Sequence, residues 1–154
     1  MFPDVVSMIH EHLRSQWDVI DASLQQYGMH LRNILPYYAD IGFEMMPCLM
    51  LEDISTQMDW RAIPRIGEIR QSVRLYGYVH HEKPDVRRAA LVSLGVTTQI
   101  VLNRLDVPHV YAGVEFWWQE MLCPTLDFGV SFAGNTVVGA FTALMEVQSH
   151  VQLG

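Results

Sequence analysis

Apolar and polar residues alternate along the C-terminal stretch from Leu126 to Val151. A two-residue period is typical of a β-strand with one buried face. Gly134 and Asn135 interrupt the alternation with two residues that tolerate the backbone of a tight turn. The pattern predicts two antiparallel strands, of which the second, at about 16 residues and roughly 50 Å, is much longer than an average strand. We expect part of it to extend past its own domain, which suggests a partner.

The two faces of this predicted hairpin differ in composition. On the second strand, Phe141, Met145 and Val147 share a face that we expect to hold the core. Val138 and Leu144 fall on the opposite, otherwise polar face. We expect this pair to contact the next subunit, so that substitution there impairs assembly and spares folding. On the first strand the period predicts one buried face that carries four apolar residues, Leu126, Phe128, Val130 and Phe132.

Two segments carry apolar residues at the three- and four-residue spacing of an amphipathic helix. The first begins at Pro3 and ends at Gly28, which predicts one helix of about six turns. The second begins at Pro84 and continues to Arg104, because proline suits the first helical turn and a cation suits the last. Gly95 lies in its middle, where glycine costs about 1 kcal/mol relative to alanine, so we expect close approach to a neighbouring element.

Shorter segments connect these elements. A helical piece is predicted at His30 to Leu35 and a strand at Cys48 to Ile54. The stretch from Asp59 to Gly67 has the composition of a connecting loop. Ile69 to Val79 alternates regularly and predicts a strand whose polar face is basic and aromatic. Val110 to Gln119 predicts one further strand.

These elements predict the fold class. Without the short helical piece and the strand from Val110 to Gln119, their order is helix, strand, strand, helix, strand, strand, with the longest strands last. Two helices packed on one mostly antiparallel sheet, closed by a long C-terminal hairpin, make an α+β fold. The sequence contains no internal repeat, low-complexity segment or linker. We therefore expect a single domain over residues 1–154.

Composition narrows the classes of function. Half of the 154 residues are hydrophobic and 18% are charged, which argues against disorder and suggests that other subunits cover part of the surface. The net charge of −7 disfavours sequence-specific nucleic-acid binding. Cys48 and Cys123 are isolated in apolar surroundings, as expected for free thiols in a reducing cytoplasm. Because the N-terminus lacks the features of a signal peptide, we expect a soluble product made in the cytoplasm.

Candidate chemistry is sparse. Residues Gly129 to Ala133 approach the Gly-x-Ser-x-Gly pattern of hydrolases, but Ser131 lies within a predicted strand and not at a strand-to-helix turn. His80 and His81 adjoin Glu82, yet adjacent residues point apart in a strand and no third ligand has suitable spacing. We therefore expect no catalytic residue, no cofactor and no metal ion.

Two groups of side chains are candidates for an interface. Trp117 and Trp118 are adjacent, so one of them must leave the inner face of its sheet and is available to a partner or to the rim of the core. The second group is a set of arginines that is either an ordinary solvated surface or pairs with acidic residues of an adjoining subunit. It comprises Arg70, Arg74, Arg87 and Arg88.

The order of elements, with the central strand Ser72 to Tyr78 and the helix from Asp85 to Arg104, resembles the tail terminator, or tail completion, proteins of long-tailed bacteriophages. In that family an N-terminal helix precedes a strand pair, a second helix follows almost directly, and a long hairpin closes the domain. The likeness covers most of the chain and includes no diagnostic motif. Three further segments match the plan, Phe2 to Leu24, Pro47 to Leu51 and Val137 to Val147. Two have no place in it, Pro36 to Met46 and Met121 to Leu126.

The resemblance implies a homo-oligomeric ring, usually a hexamer, in the neck of a virion. Such a ring caps the tail-tube protein, stops its polymerisation and presents its opposite surface to the head connector or head completion protein. DNA crosses the bore without being read, and no membrane is involved. Another neck or tail-adaptor protein is an alternative of the same class. A small ligand-binding or enzymatic α+β dimer is the alternative of a different class, with a pocket near Trp117, Trp118 and His109.

Overall fold

The computed structural model describes residues 4–63 and 66–152. Within them, three α-helices and a curled, mixed seven-stranded sheet form a single α+β domain, so the predicted class is confirmed. The predicted six-element order is not confirmed, because the sheet has more strands and the first helix is divided. In chain order the elements are α1 (Val5–Ser15), α2 (Trp17–Gln25), β1 (Asn33–Leu35), a 3-10 helix (Phe43–Met45), β2 (Cys48–Ile63), β3 (Ile66–Val79), α3 (Pro84–Asn103), β4 (His109–Tyr111), β5 (Val114–Trp117), β6 (Asp127–Ala133) and β7 (Thr136–Gln152).

The sheet is ordered β1-β2-β3-β7-β5-β4, and β6 also pairs with β7. Only the β1–β2 pair is parallel among the described strands. The centre of the sheet is a long antiparallel ribbon of β2, β3 and β7, in which β3 and β7 pair from Ile66 opposite Gln152 to Val79 opposite Gly139. Strand β7 continues beyond its hairpin partner β6 from Ala143 to Gln152, and β3 pairs with it along this stretch.

The N-terminal helix begins as predicted but is interrupted. Asp4 caps α1, because its carboxylate accepts the Ser7 N–H at 3.2 Å. The break lies at Gln16, whose φ and ψ are −105° and 20°, and Ser15 Oγ donates to His12 O at 2.6 Å in the turn before it, an interaction that competes with helical bonding. Pro3 lies outside the described residues. The predicted apolar stripe is buried on both sides of the break, at Val5, Ile9, Leu13, Ile20 and Leu24.

The stretch from His30 to Leu35 is not the predicted helical piece. Its backbone amides bond to distant groups instead of to the preceding turn. Leu31 N–H donates to Asp21 Oδ1 at 2.7 Å, and Arg32 N–H donates to Pro47 O at 2.9 Å. These contacts hold the chain extended, so that it forms β1 beside β2.

The Asp21 contact supplies a pH-dependent contribution to stability. Partial burial raises the pKa of Asp21, but hydrogen bonds from Leu31 N–H, Gln25 and His30 together lower it below its usual value. A depressed folded-state pKa means that the stabilisation is present above the unfolded-state pKa and is lost as pH falls through the folded-state pKa.

Asp21→Asn should therefore lower the free energy of unfolding by about 1–2 kcal/mol at pH 7. The difference from wild type should shrink toward zero near pH 2, where the carboxyl is protonated. Urea unfolding followed by tryptophan fluorescence at both pH values measures this, with Asp40→Asn in an exposed loop as the control. A difference that persists at low pH would assign the effect to packing.

Strand β2 is much longer than predicted. The expected loop from Asp59 to Gly67 is wrong where the structure describes it, because β2 continues to Ile63 and β3 begins at Ile66. The register shifts between Asp53 and Ser55, which is the mark of a β-bulge. From Ser55 to Asp59, β2 is held by backbone pairing to β3, and none of these five side chains is buried.

The principal core lies between the sheet and the three helices. Side-chain contacts to backbone carbonyls link the three helices. His12 Nε2 on α1 lies 3.0 Å from Val101 O on α3, and Ser93 Oγ on α3 donates to Ser23 O on α2 at 2.8 Å. The predicted close approach at Gly95 is confirmed. A Cβ there would lie 2.8 Å from Phe128 Cε1.

A second, smaller apolar cluster covers the opposite face of the sheet. It contains Met46, Cys48, Met50 and Val138, of which Met46 is the most exposed at 7%, and Leu35 and Ile41 pack against it. The predicted subunit contact at Val138 is therefore wrong, since this side chain is 1% exposed within its own chain. The reason is that the segment before β2, which has no regular period, folds over this end of the sheet.

The predicted strand from Val110 to Gln119 is a hairpin. Ala112 and Gly113, with φ of 52° and 78°, form the turn between β4 and β5. Strand β5 then pairs with the far end of β7 through Phe116 opposite Ser149 and Trp117 opposite Gln148.

Candidate assembly surface

The C-terminal hairpin is present as predicted. Strand β6 pairs with β7 from Asp127 opposite Thr142 to Ala133 opposite Thr136, about a turn at Gly134 and Asn135. Gly134 has a φ of +62°, which glycine adopts without the penalty that a Cβ brings. Within the described residues, β6 pairs with no strand other than β7, so its second edge is free.

On β6 only the base packs against the core, contrary to the expectation that its whole apolar face is buried. Phe128 packs on Phe141 with ring centroids 6.0 Å apart, whereas Val130 and Phe132 are 65% and 69% exposed. Val130 lies opposite Gly139 on β7, which is covered by the first turns of α3. The helix layer does not extend over the outer part of β6. The apolar side chains that alternate along this part of the strand are therefore exposed.

The free edge of β6 carries none of the features that usually prevent strand addition. After Asp127, residues 128–133 include no charged residue and no proline. Natural edge strands are commonly protected by lysine, proline, bulges or a covering element. An uncharged edge beside two exposed apolar side chains is the composition of an interface.

The outward face of the ribbon brings together four of the predicted interface residues. Leu144 is 42% exposed and lies opposite Arg74 on β3. Arg70 and Trp117 both lie opposite Gln148, one on each side of β7. These residues therefore share one face of the sheet, on the side away from the helices.

The predicted arginine group is divided by the sheet. Arg70 and Arg74 lie on its outward face, whereas Arg87 and Arg88 belong to α3 on the other face. Arg70 Nε donates to Glu68 Oε1 at 2.8 Å, and this bond raises the pKa of Arg70. The four arginines do not form one surface. The loop after Val79 joins β3 to α3, and these two elements lie in different layers of the domain.

The adjacent tryptophans point to opposite sides, as predicted. Trp118 is 9% exposed in the principal core. Trp117 lies outside it, with its ring centroid 4.9 Å from that of His150.

An aromatic cluster at the other end of the outward face includes a residue that sequence reasoning missed. The rings of Tyr38 and Tyr76 are 4.8 Å apart, and those of Tyr76 and Tyr78 are 6.3 Å apart and stacked. Tyr76 donates to Glu52 Oε1 at 2.7 Å. Tyr38 comes from the segment that had no predicted element, so no periodic signal placed it here.

Comparison with known proteins does not assign the chain to a family. Neither a scan against protein-family models nor a search of curated proteins finds a match. The functional argument therefore rests on the surfaces described above.

The described ranges 4–63 and 66–152 contain no group of three His, Cys, Asp or Glu side chains suited to a metal ion. His80 packs against Phe43, and His81 Nδ1 accepts the Lys83 N–H at 3.0 Å. Burial raises the pKa of Cys48 to about 12 and that of Cys123 to about 11, which keeps both thiols protonated. No helix in this part of the chain is both long and apolar enough to traverse a bilayer.

Proposed function

We propose that this chain is a structural virion protein that forms a ring at the head-proximal end of a phage tail. In this role it stops polymerisation of the tail tube and joins the tail to the head connector, as a tail terminator does. The observation that carries the proposal is the free, uncharged edge of β6, with Val130 and Phe132 exposed beside it. A monomer that remained alone in water would leave this edge open to uncontrolled pairing.

The arrangement of elements supports the same proposal. Helices precede the β2–β3 pair, only four residues separate Val79 from Pro84, and the β6–β7 hairpin closes the domain. This order of elements is the one on which the resemblance to tail terminators rests. The strands β1, β4 and β5 are additions to it.

A ring, unlike a twofold dimer, needs the β6 edge of one subunit to meet a different surface of its neighbour. We place the neighbouring subunit's contact on a different surface, the outward face around Leu144 and Trp117. A contact between two different patches is heterologous, and repeated rotation about one axis closes such contacts into a ring. The net charge of −7 suits a bore that lets DNA pass without adhesion.

The first test of the proposal is the assembly state of the purified chain. Light scattering and negative-stain imaging should show a ring, and replacing Val130 and Phe132 together with lysine should leave monomers with unchanged far-ultraviolet circular dichroism. The matched control adds two lysines at Val19 and Val96, which are 45% and 41% exposed on helices. Rings that survive the β6 change but not the helix change would refute the assigned interface.

The second test separates a terminator from any other ring. Wild-type chain added to polymerising tail-tube protein should stop growth at one end, and the β6 double-lysine variant should not. Binding to the connector without any effect on tube length would instead indicate another neck or adaptor protein. A wild-type chain that stays monomeric and inert toward tail tubes would contradict the proposal.

A further inference from the structure

The edge of β7 that faces away from β3 is paired at both ends and open between them. Strand β6 occupies this edge from Thr136 to Thr142, and β5 occupies it at Gln148 and Ser149. Within the described residues, Ala143–Val147 pair with no strand on this side and make no other backbone hydrogen bond there. Alternate residues of a strand direct their N–H and C=O groups to each edge, so this gap presents unpaired donors and acceptors in a row.

The gap exists because the segment that joins β5 to β6 is held away from the strand. Asn103 on α3 makes two hydrogen bonds to the backbone of Cys123. Cys123 N–H donates to Asn103 Oδ1 at 2.8 Å, and Asn103 Nδ2 donates to Cys123 O at 2.9 Å. Gln99 Nε2 donates to Cys123 O at 3.1 Å and to Pro124 O at 3.3 Å. Both amides belong to the helix layer, so they draw the segment toward α3 and leave the sheet edge uncovered.

A cleft of about 560 Å³ lies between this segment and the ribbon. Its walls include apolar side chains from both sides, among them Met121, Leu122 and Leu144. Gln71 also lines it and is only 7% exposed, yet its Oε1 has no hydrogen-bond partner in the described structure. A buried amide oxygen without a donor is costly, so a donor supplied by a bound group would relieve that cost.

The charged side chains of the cleft favour a cationic occupant. Asp127 and Glu146 line it as carboxylates, and Arg70 is the basic residue among its lining side chains. The Arg70 guanidinium is already bonded to Glu68. The cleft therefore carries two carboxylates, and its one arginine is already paired with Glu68.

We propose that this cleft binds an extended, basic segment of a partner protein, which pairs with Ala143–Val147 as an added strand. A segment of about five residues spans the gap at roughly 3.3 Å per residue. Its backbone would complete the β7 edge, the usual source of affinity in strand addition. A lysine or arginine would approach Asp127 and Glu146, and a donor from the segment would reach the Gln71 amide. The site does not include Val130 or Phe132, but it shares Leu144 with the surface on which we place the neighbouring subunit, so the peptide should bind the unassembled chain.

Three synthetic peptides test the proposal on the full chain. The probe is a capped seven-residue peptide of alternating valine and lysine. In the second peptide glutamate replaces each lysine, and in the third proline replaces alternate residues and removes the N–H groups needed for pairing. Hydrogen exchange with mass spectrometry reads out residues 143–147 at protein concentrations too low for assembly.

The lysine peptide should bind with a Kd of about 1 mM or tighter and slow exchange at residues 143–147. The glutamate and proline peptides should bind at least about tenfold more weakly, because of repulsion and lost pairing respectively. Equal binding of the proline peptide would show apolar adhesion only and overturn the proposal. Protection at 143–147 that appears without peptide as protein concentration rises would assign the gap to a second copy, which also overturns it.

Variants localise the contact. Changing Asp127 and Glu146 together to their amides should weaken lysine-peptide binding by about fivefold or more at low salt. Gln71→Leu, which removes the unpartnered amide and keeps the side-chain size, should weaken it by about threefold. Glu115→Gln, on an exposed position of β5 outside the cleft, is the control. Unchanged affinity in both cleft variants would exclude this site.

Discussion

Replacing Val138 with aspartate should unfold the domain, whereas the same replacement at Leu144 should leave it folded. The two residues lie on the same face of β7, but Val138 is 1% exposed and Leu144 is 42% exposed. A carboxylate at position 138 would be buried among Met46, Cys48 and Met50, with no cation in that cluster. The expected cost is about 4 kcal/mol or more, which approaches the whole stability of many domains.

Urea unfolding followed by tryptophan fluorescence and circular dichroism measures this difference. Leu144→Asp should shift the free energy of unfolding by less than about 1 kcal/mol, and under the proposed function it should weaken ring assembly. Val138→Ala is the control for volume, since it removes two methyl groups without adding charge and should cost about 1–2 kcal/mol. A folded Val138→Asp variant would mean that the second cluster opens readily and would restore position 138 as a possible contact.

The contrast between these two residues shows what alternation can predict. The two-residue period correctly assigned Phe141, Met145 and Val147 to the core, because a strand fixes which side chains share a face. It could not say that the opposite face is also covered near Val138. That cover comes from the residues before β2, where apolar positions follow no period.

The same period failed at the other end of the hairpin for the opposite reason. Val130 and Phe132 share a face with Phe128, but only Phe128 lies beneath α3 beside Gly95. How far a helix layer extends over a sheet depends on the packing of the whole domain. The exposure that supports an assembly role was therefore not visible in the sequence.

Strand length and the cleft also depended on tertiary contacts. Residues at the far end of β2 are extended because β3 pairs with them, although their sequence resembles a loop. The cleft depends on bonds between Asn103 and Cys123, which are 20 residues apart. A polar residue late in an amphipathic helix gives no sign of which backbone it will hold.

Phe141→Ala should be among the most destabilising substitutions in the chain, at about 3–5 kcal/mol. Its ring is fully buried between β7 and α3 and covers two glycines, Gly77 on β3 and Gly95 on α3. It also packs on Phe128. Removing the ring would leave a cavity bordered by backbone on two sides, and backbone cannot collapse into it easily. Thermal and urea unfolding measure the loss.

The same ring makes Gly77 intolerant of a side chain, and a double-mutant cycle tests this directly. Gly77→Ala alone places its Cβ against Phe141 Cε1 and should cost about 1–3 kcal/mol through overpacking. In the Phe141→Ala background the added methyl enters vacated space, so the second change should cost little or should stabilise. The coupling energy should be about 1–3 kcal/mol. Gly129→Ala on β6, where a Cβ meets nothing within 4 Å, is the control and should not couple. If the Gly77 and Phe141 effects add within about 0.5 kcal/mol, the ring does not occupy the space above Gly77, and the packing of α3 against β3 and β7 must differ from that described.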